Sequence, residues 1–121
     1  MVIRCLDTYA LVEINNENPN FSNYINEEVI ITDLTLAEFY GYLYKRYNLK
    51  TAEYWFKKLS LFTKEVSREI LVKAIKYKID NKKQNLSFFD CVGYTYAIEN
   101  GMKFVTGDRE FKDKVGVEFK K

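Results

Sequence analysis

Apolar residues along this chain fall into two rhythms. Four short stretches, Met1–Leu6 (MVIRCL), Glu28–Thr32 (EVIIT), Lys103–Thr106 (KFVT) and Val117–Phe119 (VEF), read as strands, the second of them apolar enough to be buried. The stretches between them repeat at helical spacing. Thr8–Ile14 carries Ala10, Leu11 and Ile14 on one side, and Phe21–Asn26 reads as a helical turn. A helix from Thr35 to about Tyr47 places Leu36, Phe39, Tyr40, Leu43 and Tyr47 on one stripe. Another opens at Thr51, with Ala52, Trp55, Phe56, Leu59 and Phe62 in step. A third opens at Ser67 and turns Ile70, Leu71, Ala74 and Ile75 inward, with Lys73, Lys76 and Lys78 outward. A last helix runs from Ser87 to about Glu99 and stops at Asn100-Gly101, because glycine readily takes the left-handed conformation that ends helices.

Strands alternating with helices imply an α/β fold, a parallel sheet with helices on its faces. In such sheets the functional cleft lies beyond the carboxyl ends of the strands. Asp7 and Asp108 each follow a predicted strand, while Glu38 and Asp90 fall in first turns of predicted helices. If those helix starts share the sheet edge, four carboxylates from distant parts of the chain converge on one rim. Asp90 also heads a stripe of small residues with Gly93, Tyr94 and Ala97, which lets a helix approach a sheet closely. A carboxylate entering such packing needs a hydrogen bond or a cation.

Composition narrows the chemistry. The chain has 121 residues, read as a single domain 1–121, and no histidine. Histidine triads, cysteine–histidine dyads and H-E-x-x-H zinc sites are thereby excluded. Its two cysteines, Cys5 and Cys91, sit in a predicted strand and helix as small core residues of a reducing, cytoplasmic protein. No signal peptide or membrane span is expected, and a net charge of +2 does not by itself announce nucleic acid. Carboxylates sharing a cleft should hold a proton or a divalent cation. Mg²⁺ and Mn²⁺ take oxygen ligands, and such a site suits phosphodiester hydrolysis.

Three blocks of sequence resemble the PIN-domain nucleases, especially the small VapC-type toxins of prokaryotic toxin–antitoxin pairs. LDTYALVE (Leu6–Glu13) is similar to the first motif, with Asp7, and TDLTLAEFYGYL (Thr32–Leu43) to the second, with Glu38. LSFFDCVGYTYAIENGMKFVTGDREF (Leu86–Phe111) is similar to the third and fourth, with Asp90, Thr106 and Asp108. The resemblance implies a three-layer α/β/α fold with a central parallel sheet. It implies Asp7, Glu38, Asp90 and Asp108 as ligands of Mg²⁺ or Mn²⁺, Thr106 in support, and RNA as substrate. It also implies a small antitoxin protein as partner and a homodimer. Basic residues near this site are few, with Arg109 the nearest.

Each acid also has a structural reading. Asp7 can N-cap the helix after it, Glu38 can complete a capping box with Thr35, and Asp90 one with Ser87. Asp108 can be a turn residue and Thr106 an ordinary strand threonine. Asp33 reads as a solvated loop carboxylate and Asp113 as part of a surface turn. The lysines of Lys73–Lys83 read first as a solvated face, with a phosphate backbone as the alternative. The rings Phe39, Tyr40, Tyr44, Tyr47, Tyr54 and Trp55 exceed what a small interior needs, so some should face a protein partner. Two further roles remain open on the same scaffold, RNA maturation without toxicity and a catalytically silent binding module. A haloacid-dehalogenase-like phosphatase would want an acid where Tyr9 stands, and a phospho-receiver lacks its lysine and paired acids.

Overall fold

A computed structural model describes residues 2–121, so the Met1 end of the first predicted strand lies outside the described residues. The chain runs β1 (Arg4–Leu6), α1 (Thr8–Asn15), a 3₁₀ stretch (Pro19–Asn26), β2 (Val29–Thr32), α2 (Asp33–Arg46) and α3 (Leu49–Ser60). It continues through β3 (Thr63–Lys64), α4 (Arg68–Asp80), α5 (Phe88–Glu99), β4 (Lys103–Thr106), a 3₁₀ turn (Arg109–Phe111) and β5 (Val117–Phe119). The five strands form one sheet in the order β3-β2-β1-β4-β5, and every pairing is parallel.

Successive residues of the central strands serve opposite faces, as strand geometry requires. Leu6, Ile31 and Val105 join the core under α1, α2 and α3, together with Phe39, Leu43 and Ala52. Cys5, Ile30 and Phe104 join the core under α4 and α5, together with Ala74, Cys91 and Ala97. Covering both faces with helices explains why these strands are nearly all apolar, and it makes the three-layer α/β/α arrangement. Both cysteines are free and buried. On α5 the small-residue stripe brings helix and sheet together, since a Cβ on Gly93 would meet the Phe104 ring at 2.8 Å.

The structure moves three boundaries. α2 begins at Asp33, because Thr32 is its N-cap and accepts the Thr35 amide at 3.1 Å. The Thr35–Glu38 capping box is therefore not formed. α3 begins at Leu49, because Asn48 accepts the Thr51 amide at 2.8 Å. It also ends before Phe62, which leaves room for β3, a strand of two residues that no alternation could reveal. On α4, Ile70 and Ala74 face inward as expected, while Ile75 is exposed.

Strand order places the site. From β1 the chain steps to β2 and β3 on one side and later returns to β4 and β5 on the other. The crevice between β1 and β4, at their carboxyl ends, is where connections diverge and leave space for a ligand.

Candidate functional site

Asp7 stands where β1 passes into α1. Its amide donates to the Val105 carbonyl of β4 at 3.1 Å, and its Oδ1 accepts the Ala10 amide at 2.8 Å as the helix N-cap. The residue is only 2% exposed. Burial pushes its carboxyl up to about 7, with hydrogen bonds from Thr106 and Ala10 opposing and the charges of Asp108 and Glu38 adding. Capping thus occupies one oxygen and leaves the other at the crevice.

Asp90 reaches the same crevice from the first turn of α5, whose N-cap Ser87 accepts the Asp90 amide at 3.4 Å. Burial first, then the charges of Asp7, Glu38 and Asp108 and a hydrogen bond with Asp108, together raise its carboxyl to about 8. Asp108 follows β4 and Gly107; its Oδ1 accepts the Glu110 amide at 3.0 Å and caps the 3₁₀ turn. Thr106, fully buried at the end of β4, accepts the Asp108 amide at 3.0 Å and directs its hydroxyl to Asp7. One threonine side chain therefore ties two of the acids together. That is a positioning role that an ordinary outward-facing strand threonine would not have.

Glu38 lies in the second turn of α2, too far along the helix to cap it. It accepts a hydrogen bond from the Thr8 hydroxyl of α1 instead. All four acids line one cavity of about 530 Å³ together with Thr8, Tyr9, Ser87, Gly107, Arg109 and Lys121. Among the described residues no three acidic or cysteine side chains close around a common point as a finished ligand set. Glu38 and Asp108 are nevertheless near enough for their charges to favour the protonated forms of Asp7 and Asp90. Every donor is a carboxylate or hydroxyl oxygen, the set that hard divalent cations prefer. Burial, with the charges of the neighbouring acids, leaves Asp7 and Asp90 holding protons near neutral pH. Such a cleft fits a divalent cation.

Several contributors were invisible along the chain. Thr8 orients Glu38, and Lys121 joins the rim from the far end of the sequence with its ammonium 5.1 Å from the Tyr9 ring centroid. That ring needs Gly107, where a Cβ would meet it at 2.2 Å. Neither Thr8 nor Lys121 belongs to a periodic pattern. The T-G-D turn at Thr106–Asp108 was the only local signal of the close approach.

The other candidates resolve differently. Lys73 pairs with Glu99, Lys76 with Asp80, and Lys78 donates to the Leu86 carbonyl, while Lys82 and Lys83 are exposed; none of the five lines the acid cavity. Asp113 lies in an exposed turn, as expected. Asp33 is not a solvated loop residue. It opens α2, its Oδ2 accepts the Val66 amide at 3.5 Å, and its Oδ1 is buried without a partner among the described residues. With Leu36, Ala37, Tyr40, Glu53 and Phe56 it lines a second, mostly apolar groove of about 470 Å³ between α2 and α3. Tyr44 (55%), against the Tyr40 ring, and Tyr54 (58%), against Trp55, are exposed, whereas Phe39 is buried.

The PIN-domain family model matches residues 4–117 of the chain. No curated protein matches the sequence. Solved structures that share the fold include the following three. The sarcin-ricin loop cleaving toxin VapC20 of Mycobacterium tuberculosis superposes with a TM-score of 0.82 at 15% identity, over 98% of this chain and 99% of that one. A toxin–antitoxin complex from Klebsiella pneumoniae gives 0.76 at 17% identity, covering 95% of each chain. The DNA-bound VapBC of Salmonella typhimurium gives 0.76 at 19% identity, over 99% of this chain and 98% of that one.

Proposed function

The chain belongs to the PIN-domain family, and from that premise we propose that it is a metal-dependent endoribonuclease, the toxin half of a toxin–antitoxin pair. The observation that carries this reading is the convergence of Asp7, Glu38, Asp90 and Asp108, from four separate elements, on one cavity at the carboxyl ends of β1 and β4. Those four residues would hold Mg²⁺ or Mn²⁺. A cation there would lower the pKa of the attacking water and offset the charge of the scissile phosphate. The residues themselves divide the work. Thr106 holds Asp7 and the Asp108 backbone in register, and Thr8 turns Glu38 toward the crevice. Asp7 and Asp90 would have to give up protons to hold a cation, which would couple binding to pH.

The toxin role rests on similarity in fold to a toxin and to a toxin–antitoxin complex. We assign the antitoxin's C-terminal segment to the apolar groove between α2 and α3, continuing to the acid cleft. The orphaned Asp33 oxygen and Glu53 would there accept a basic side chain. A homodimer and a cytoplasmic location are proposed with it. Among the described residues no helix is long and apolar enough to cross a membrane.

The deciding experiment incubates purified protein with structured RNA, with Mn²⁺, Mg²⁺ or a chelator, beside Asp90→Asn. Cleavage should require the cation and disappear in the variant, which keeps its fold. Full activity in D90N or in chelator would remove this assignment. A PIN nuclease of RNA maturation would pass the same test, and growth arrest on expression without an antitoxin separates the two.

A further inference from the structure

A small basic pocket adjoins the acid cleft and has no part in the reading above. It measures about 240 Å³ and is lined by Arg109, Lys112, Phe119 and Lys121. Arg109 and Lys121 also line the acid cavity, so the two spaces are continuous. The same strand ends that place the acids place these cations. Arg109 follows Asp108 directly, and Phe119 of β5 lies in register with Thr106 of β4. Lys121 is tethered through its carbonyl, which accepts the Asn20 side-chain amide at 2.8 Å.

Among the described residues Arg109, Lys112 and Lys121 form no salt bridge, although Arg4, Lys73 and Lys76 all do. Two of the three rest on rings instead. The Lys112 ammonium lies 5.6 Å from the Phe119 centroid, and the Lys121 ammonium 5.1 Å from that of Tyr9. An aromatic face steadies an ammonium without cancelling its charge. Three like charges are thus gathered without an ion pair, at the edge of the cavity that holds the four acids. A strand of nucleic acid laid over the acid cleft meets the opposite difficulty, because the carboxylates repel its phosphates. Its neighbouring phosphate must still lie somewhere, at a fixed interval along the backbone.

We propose that the Arg109–Lys112–Lys121 pocket binds the backbone phosphate adjacent to the scissile one and so sets where the strand lies across the acids. This rests on the reading of RNA as the substrate. Lys112 gives the clean test, since it is exposed and lines only the basic pocket. Binding of a labelled single-stranded RNA would be measured by fluorescence anisotropy across a salt series, with the Asp90→Asn protein in chelator as the non-cleaving parent. Lys112→Glu should weaken binding about tenfold or more at low salt and lower the log–log salt slope by about 0.7, the value of one single-strand phosphate contact. Lys112→Arg should retain both. Unchanged affinity and slope in K112E, with a parent that binds RNA, overturn this inference and leave the substrate reading standing. A parent that binds no RNA at any salt overturns both. Unchanged RNA binding with lost affinity for a protein partner would give the pocket to an acidic polypeptide and overturn the phosphate assignment.

Discussion

Glu38 is the residue where structure changes the argument most. A capping role would make Glu38→Gln silent in every assay, since glutamine completes a capping box equally well. The cap is Thr32, however, and Glu38 reaches across to Thr8. Glu38→Gln keeps an acceptor for that hydroxyl while removing a negative charge that bears on Asp7 and Asp90. The expected outcome is a melting temperature that holds or rises and cleavage that falls; undiminished cleavage would take Glu38 out of the site. A second outcome follows from Asp7 and Asp90, raised to about 7 and about 8 from an ordinary value of 3.8. Folded protein keeps protons there that unfolded protein has already released, so this pair favours the fold in acid and ceases to as pH rises through those values. Metal-free melting temperature should therefore climb as pH is lowered from above about 8, while Mn²⁺-dependent cleavage should climb in the opposite direction. A melting temperature that falls over that interval would mean these acids are already compensated. Asp7, Asp90 and Asp108 stood out in the sequence because each sits at a punctuation mark, a strand end or a helix start, whereas Glu38 lies a turn inside α2 and was singled out on a helix start that the structure moves to Asp33. Thr8 and Lys121 were not legible, because their roles exist only once strands distant in sequence lie side by side.

At the scale of elements, the strands and helices were readable wherever burial imposed a period. Reading failed where a single side chain overrode the period. Asn48 starts α3 two residues early by accepting the Thr51 amide, and Thr32 does the same for α2. β3 is too short to show any pattern, and it joins the sheet because Ile31 and Thr32 of β2 offer an unpaired edge. Capping by Asn48 is a local matter on the surface. Asn48→Ala should lower stability by about 1 kcal/mol, the usual value of a lost N-cap, with cleavage per folded molecule unchanged. Denaturant titration beside an RNA assay checks both halves. A stability loss far above that size would show that α3 depends on its cap for more than its first turn.

For the whole molecule, the distribution of rings points outward on one side. α2 and α3 bury Phe39 and Ala52 but leave Tyr44, Tyr54 and Phe56 exposed, Phe56 in the groove that Asp33 lines. Tyr44→Lys and Tyr54→Lys should cost about 1–3 kcal/mol in affinity for whichever partner covers them, antitoxin or second copy. Measuring inhibitor binding and self-association on the same variants tells these apart, and indifference of both would return the surface to solvent. The order of the sheet has a further consequence, in time. β1 is made first, yet its second neighbour is β4, paired from Arg4↔Lys103 to Leu6↔Val105. Asp7, Glu38 and Asp90 are thus all synthesised before the strand that gathers them exists. Contacts that span nearly the whole chain form late during synthesis. We therefore expect the polypeptide to be harmless while it is still being translated and to become able to cut RNA only once residues 103–119 have left the ribosome. Stalled nascent chains, released or held with those residues still inside, would show it; cutting by the held chains would contradict it. For an enzyme made in the midst of RNA, the fold itself would then supply the delay in which an inhibitor can arrive.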